Sequence, residues 1–269
     1  MSKIIGSVII PVYNQYNKVQ CILKGFRNQN VNMDDYEIII VDDGSDDLLA
    51  EKNSLDLQNR FGLNIEIIHK LHKGRAAARN EGIMHSQSDY ILFCDGDRIP
   101  HCNFIDAHLK LYSNINNIVI GYPYDYFGDK KELSKNELDW SYILKMSRLP
   151  MYYKKIAEFY QVEKNSNGRY IWLSFLVGNS SVNKRLIKCV GGFDETINEW
   201  GFEHFELGYR LYKYGAKFIM SKEAKSFHIP HAREKNFYNI HLKKSISNLH
   251  KKYPELDMSF LEKFFGVSG

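Results

Sequence analysis

The stretch Tyr36-Glu37-Ile38-Ile39-Ile40-Val41-Asp42-Asp43-Gly44-Ser45 opens as a β-branched apolar run and closes in two acids and a turn. An apolar run with almost no polar alternation reads as a strand covered on both faces, as in a parallel sheet flanked by helices. Working outward, the same signature recurs at 7–12 (SVIIPV), 64–68 (NIEII) and 89–94 (DYILFC). Amphipathic stretches at 19–27, 48–61, 75–85 and 104–112 separate the runs and predict helices. The first hundred residues therefore read as βαβ alternation, and the fold class as α/β with a mostly parallel central sheet.

Open sheets of this kind bind ligands beyond the carboxyl ends of their strands. Those ends carry Pro11-Val12-Tyr13-Asn14, Asp42-Asp43-Gly44-Ser45 and Asp95-Gly96-Asp97. In the last, a glycine turn leaves two carboxylates at one mouth, which suits Mg²⁺ or Mn²⁺ and the diphosphate that such a cation neutralises. The same triplet also serves as an ordinary solvated turn. Asp42 and Asp43 add a second acidic pair to the edge. We expect Asp46 or Asp47 to cap the helix at 48–61, and Asp43 to accept from a base N–H or ribose hydroxyl. No GxGxxG follows the first strand and no GxxxxGK[ST] occurs, which argues against a dinucleotide oxidoreductase and a P-loop enzyme. In the segment GRAAARN (74–80), Arg75 and Arg79 lie one helical turn apart, facing either phosphate or water.

Composition narrows the class further. The 269 residues are 44% hydrophobic and 25% charged, which is ordinary globular usage. A net charge of +4 spread over many segments implies no nucleic-acid partner. The four cysteines contain no CxxC, so neither a zinc framework nor a disulfide scaffold is expected, and a reducing compartment fits. The apolar stretch near the amino terminus is broken by Pro11 and is too short for a secretory or membrane segment. Cytoplasmic placement is the expectation. Lys235, Lys243, Lys244, Lys251 and Lys252 form either a solvated helix face or a peripheral contact with an anionic surface, such as the inner face of a membrane.

Beyond residue 122 the pattern changes. From 123 to 172 the alternation stops and tyrosines, lysines and Trp140 dominate, which reads as an irregular or helical insertion serving as a lid or acceptor element. A strand is expected at 175–182, with helices at 184–189, 205–214 and about 236–250. Between them lie Gly191-Gly192-Phe193-Asp194-Glu195, then Trp200-Gly201-Phe202-Glu203-His204-Phe205-Glu206-Leu207, and later Ser226-Phe227-His228-Ile229-Pro230-His231-Ala232-Arg233.

In that order, PVYN, VDDGS, GRAAARN and FCDGD resemble the nucleotide-sugar half of a GT-A glycosyltransferase of family 2. The Trp-Gly-x-Glu segment resembles the acceptor motif of galactosyltransferases and chondroitin-polymerase-type enzymes, and also that of polypeptide N-acetylgalactosaminyltransferases. The resemblance covers about 7–233, with 123–172 unmatched. It implies one GT-A domain over 1–235, with a nucleotide-sugar half at 1–115 and an acceptor half at 116–235, followed by a helical tail at 236–269. It further implies that Pro11 and Tyr13 line a uracil site, Asp43 holds the base and Arg79 lies near the nucleotide. Asp95 would meet ribose or metal, and Asp97 and His228 would hold the metal.

This chain has His204 where the galactosyltransferase pattern has its aspartate base. Either imidazole or carboxylate can take a proton near neutral pH, so His204 is the favoured base and Glu203 the acceptor-binding residue, with the reverse assignment open. Trp200 would present its face to a sugar or pack in the core. The expected reaction moves a hexose or N-acetylhexosamine from a UDP-sugar to the hydroxyl of a carbohydrate, glycolipid or other acceptor, with inversion and Mn²⁺ or Mg²⁺ as cofactor. Richness in lysine, asparagine and isoleucine suggests bacterial polysaccharide or glycoconjugate assembly. The alternatives are a retaining N-acetylgalactosaminyltransferase-like enzyme, a nucleotidyltransferase and a noncatalytic nucleotide-sugar-binding module.

Overall fold

In a computed structural model that describes residues 3–162, 168–197, 201–231 and 237–267, the first hundred residues build a parallel sheet. Strands β1 (Gly6–Val12), β2 (Tyr36–Asp42), β3 (Ile65–His69) and β4 (Tyr90–Cys94) are joined by helices α1 (Tyr16–Arg27), α2 (Ser54–Phe61) and α3 (Arg75–His85). Their order is β3-β2-β1-β4, all parallel, with β1 and β2 in register from Gly6 opposite Tyr36 to Val12 opposite Asp42. β1, β2 and β4 bury both faces, whereas the edge strand β3 is fully buried only at Ile65. Val8, Ile10, Ile38, Ile40 and Leu92 point into a core with α1 and α2, and Ile9, Ile91 and Phe93 point into a second core on the opposite side. The period-two geometry of a strand explains why the apolar runs are continuous.

Beyond β4 the sheet becomes mixed. Chain order continues through β5 (Arg98–Pro100), α4 (Phe104–Lys110), β6 (Asn117–Tyr126), α5 (Lys130–Leu133), α6 (Trp140–Lys145), β7 (Ser147–Arg148) and α7 (Met151–Val162). It then runs through β8 (Asn179–Asn183), α8 (Lys184–Cys189), α9 (Glu203–Lys213), β9 (Lys217–His228), α10 (Phe237–Lys252) and α11 (Met258–Phe265). The path proceeds β4-β8-β6-β9-β5, with β8 antiparallel to β4 and β6, β9 parallel to β6, and β5 antiparallel to β9.

Several boundaries differ from the sequence expectation. The helix expected at 48–61 begins at Ser54, because Asn53 and Asp56 form a reciprocal capping box there. Asp47 is therefore no cap for α2; it accepts from the backbone N–H groups of Leu49 (2.9 Å) and Tyr16 (2.8 Å) and pins the β2 turn to the start of α1. The strand expected at 175–182 is β8, starting at Asn179, after a 3₁₀ turn at Ile171–Ser174. The irregular stretch expected from 123 starts later, since β6 continues to Tyr126 against β9.

The C-terminal helices are a wall of the domain. Ile246, Leu249, Leu256, Leu261, Phe264 and Val267 join the same core as β4, β8 and α9. Lys252 reaches Asp194 and the fully buried Glu206 at 2.6 Å each, and the Tyr253 hydroxyl donates to Glu206 at 2.6 Å. Lys252 is thus committed to internal pairs, and Lys235 lies outside the described residues. No described helix is long and apolar enough to cross a membrane.

Candidate active site

Because β1, β2 and β4 run parallel, their carboxyl ends open on one edge. There Asn14, in the left-handed region at φ 53°, receives from Ser45 and Asp46 what its own loop lacks: its N–H donates to Ser45 Oγ (2.8 Å), and its Oδ1 accepts from Asp46 N–H (2.9 Å). The adjacent acids are both buried and both compensated. Asp42 accepts from Ser45 N–H at 2.9 Å and sits 2.8 Å from His69 Nδ1. Asp43 accepts from the backbone N–H groups of Lys73 (3.0 Å) and Gly74 (2.8 Å) and from Lys70 Nζ (3.4 Å). His72 Nδ1 lies 2.9 Å from both the carbonyl and Oδ2 of Asp43. Asp43 therefore organises loop 70–74 from beneath, and His72 is held against the half-exposed ring of Tyr13, with centroids 4.4 Å apart.

Arg79 joins the two halves of the chain. Its guanidinium, 1% exposed, donates from Nη2 to Asp95 and from Nη1 to Glu203, each at 2.9 Å. The two acids come from the end of β4 and the first turn of α9, and the guanidinium also lies over the Phe193 ring at 5.5 Å. Burial raises the Glu203 carboxyl toward its neutral form, but Arg75, His204 and Arg79 outweigh it and hold Glu203 well below the usual range. Among the described residues, its Oε2 is buried without a protein hydrogen-bond partner. Such an atom can accept from a ligand hydroxyl. Arg75 is 44% exposed, with Nε 3.9 Å from Glu203 Oε1.

Sheet register assembles the second cluster. On β9, His228 stands opposite Arg98 of β5 on one side and Asp125 of β6 on the other. Its Nε2 is 3.4 Å from Asp97 Oδ2 and its Nδ1 is 3.4 Å from Asp125 Oδ1, while His231 Nδ1 lies 3.7 Å from Asp97 Oδ2. Ligand atoms of Asp97, His228 and His231 all fall within 4.8 Å of one another. Burial opposes ionisation of Asp97, but His228 and Arg98 reverse the balance and keep it below the carboxylate range. For His228 burial opposes protonation, and Asp125 and Asp97 outweigh it and raise it. One carboxylate and two imidazoles form a donor set that fits a divalent cation such as Mn²⁺, and a carboxylate on the far ring nitrogen is the usual orienting contact for such a histidine.

Both clusters line one cleft of about 940 Å³, at the upper end of small-molecule sites. Pro11, Tyr13, Asp43, Arg79, Asp95, Asp97, Glu203, His204 and His228 all border it. Asp95 pairs with Arg79, and His231 joins Asp97 and His228 in the donor cluster. Trp200 lies outside the described residues. Sequence reading passed over Arg98, Asp125, Lys155 and the aromatic pair Phe264 and Phe265, all on the cleft wall. Arg98 directly follows the Asp-Gly-Asp triplet, which was an available signal. Asp125, Lys155 and the phenylalanines carried none, because they come from segments far along the chain.

Comparison with known proteins gives a family match, Glycosyl transferase family 2, over residues 7–185. The match stops short of Gly191–Leu207. The chain is 26% identical to an uncharacterised glycosyltransferase, YfnE, of Bacillus subtilis, over 84% of this chain and 65% of that protein. It is 26% identical to validoxylamine A glucosyltransferase of Streptomyces hygroscopicus subsp. jinggangensis, over 93% of this chain and 61% of that one. The chain thus spans a little over three fifths of these two relatives. In fold it is similar to S. aureus TarS 1–349 in complex with UDP-GlcNAc, with a TM-score of 0.63 at 15% identity over 97% of this chain and 70% of that one.

Proposed function

The chain belongs to glycosyl transferase family 2, and on that premise we propose that it moves a hexose or N-acetylhexosamine from a UDP-sugar to an acceptor hydroxyl with inversion. The observation that carries this reading is the meeting, in one cleft, of Asp97 and His228, which His231 adjoins as a third donor, with the Tyr13 and Asp43 edge and with His204. A UDP-sugar donor is further supported by the fold likeness to TarS, whose complex contains UDP-GlcNAc.

In this reading Pro11 and Tyr13 line the uracil and Asp43 holds loop 70–74 in place beneath it. Asp97, His228 and His231 would hold Mn²⁺ or Mg²⁺, which supplies charge neutralisation for the diphosphate and for UDP as a leaving group. Arg75 adds positive charge on the same side of the cleft. His204 takes the proton of the attacking hydroxyl. Glu203 is the weaker candidate, since its ion pair with Arg79 lowers its basicity; its Oε2 is better suited to accept from an acceptor hydroxyl, in keeping with the likeness of Trp200–Leu207 to acceptor motifs. The setting we propose is bacterial polysaccharide or glycoconjugate assembly on the cytoplasmic side.

Calorimetric titration of UDP with and without Mn²⁺ tests this. UDP affinity is expected to rise at least tenfold with Mn²⁺, and the gain to vanish in Asp97→Asn and His228→Ala. His204→Ala should keep UDP affinity and lose about 10²–10⁴-fold in turnover. Equal UDP affinity in EDTA and Mn²⁺ would refute the metal assignment.

A further inference from the structure

The acceptor side of the cleft has a chemical character distinct from the charged donor edge. Next to His204, the Phe205 ring lies 4.1 Å away by centroid, and Phe265 of α11 lies 5.4 Å from Phe205 and 5.3 Å from Phe202. Phe205 and Phe265 both border the cleft, and Phe265 is only partly buried. The position of α11 is locked from the opposite wall. Lys155 of α7 donates from Nζ to the Phe264 carbonyl at 2.9 Å, and its ammonium also stands 5.9 Å from the Phe264 ring. The Glu206 and Lys252 pair secures α10 to α9, the helix that carries His204.

We propose that Phe265, presented by the C-terminal helix and backed by Phe205, is a platform on which the acceptor's pyranose ring stacks beside His204. The inference deepens the transfer reading given above and rests on it for the identity of the acceptor side. The apolar C–H face of a pyranose packs on an aromatic face and leaves the ring's edge hydroxyls free for polar partners. Here those partners are at hand: His204 on the adjoining position, and Glu203 Oε2, which has no hydrogen-bond partner among the described residues. An acceptor built as an open polyol would gain little from this wall. The platform therefore selects ring-form acceptors, and α11 is a specificity element of the site.

Saturation-transfer NMR with methyl β-D-glucopyranoside, methyl β-D-galactopyranoside and methyl N-acetyl-β-D-glucosaminide tests the platform, with glycerol as the open-chain control and UDP and Mn²⁺ present. At least one pyranoside is expected to receive saturation on its ring C–H protons, with glycerol receiving none. Phe265→Ala should weaken that pyranoside about three- to tenfold, and Phe265→Tyr should restore it. UDP affinity should stay within twofold in both variants. The proposal is overturned if no pyranoside receives saturation, if Phe265→Ala binds as the wild type does, or if Phe265→Ala loses UDP affinity in parallel. Pyranoside contact that survives while the wild type fails to bind UDP would sink the donor reading and leave the platform standing.

Discussion

Replacing Arg79 by Met isolates the ion pair that holds the two halves of the cleft together. Arg79 is 1% and Glu203 3% exposed, so removing the guanidinium strands an almost fully buried carboxylate. Breaking one side of a buried pair costs about 3–5 kcal/mol, a large part of the roughly 5–15 kcal/mol by which a domain is stable. Arg75, at 3.9 Å and largely solvated, can recover only a fraction. Glu203→Gln keeps the acceptor oxygen and removes the charge, and Arg79 retains Asp95, so its cost should be nearer 1–2 kcal/mol. The double variant should then be more stable than the sum of the two losses by about 2 kcal/mol. Urea unfolding followed by circular dichroism at pH 7.5 measures all four corners of the cycle. The sign with pH is also set. Glu203 is held below its ordinary 4.5, so its contribution is present above that pH and is lost as the carboxyl protonates on acidification, and wild type and Glu203→Gln should converge in acid. Additivity within 0.5 kcal/mol, or an Arg79→Met variant as stable as wild type, would refute the pairing as a structural element.

Two further outcomes follow from buried geometry. His108 is fully buried between Ser181 Oγ (2.8 Å) and Asn179 Oδ1 (3.0 Å), and burial lowers its pKa from 6.5 to about 4 despite the Asn179 hydrogen bond. Between those values the unfolded chain binds a proton that the folded chain refuses, so stability is full above pH 6.5 and falls by about 3 kcal/mol on approaching pH 4; a His108→Gln variant whose acid profile matches the wild type would contradict this. A Cβ on Gly178 would stand 2.2 Å from Asp95 Oδ2, so Gly178→Ala should push Asp95 off Arg79 and destabilise the fold by about 1–3 kcal/mol, an expectation that urea unfolding refutes if stability is unchanged.

Much of the nucleotide-side architecture was legible because it is written locally. The apolar runs of β1, β2 and β4 need burial on both faces whatever surrounds them, and the bounds of α3 and α8 agree with the expected 75–85 and 184–189. Where local signals competed, the stronger prevailed: the Asn53 and Asp56 capping box moved the start of α2 past the acids at 46–47. The strands β5, β6 and β9 left little trace. β5 has three residues, and β6 and β9 mix tyrosine, lysine and serine with apolar positions, so their state depends on the strands they pair with.

Sequence alone determined which residue types stand at the carboxyl ends of the strands, and thereby the acidic edge and its candidate ligands Asp43, Asp95 and Asp97. It also supplied His228 and His204 as reactive groups. Tertiary structure decided how those groups are used. Arg79 and Glu203 are 124 residues apart and meet inside the protein, where, against the effect of burial, Arg75, His204 and that pairing lower the pKa of the Glu203 carboxyl. Asp125 reaches His228 through strand register, and α11 reaches the cleft through the packing of a tail read from the sequence only as helical and basic. Residue chemistry is a property of the chain read locally, whereas pKa, partner and access depend on which distant segments exclude water around a group, and that is set when the sheet and its covering helices close.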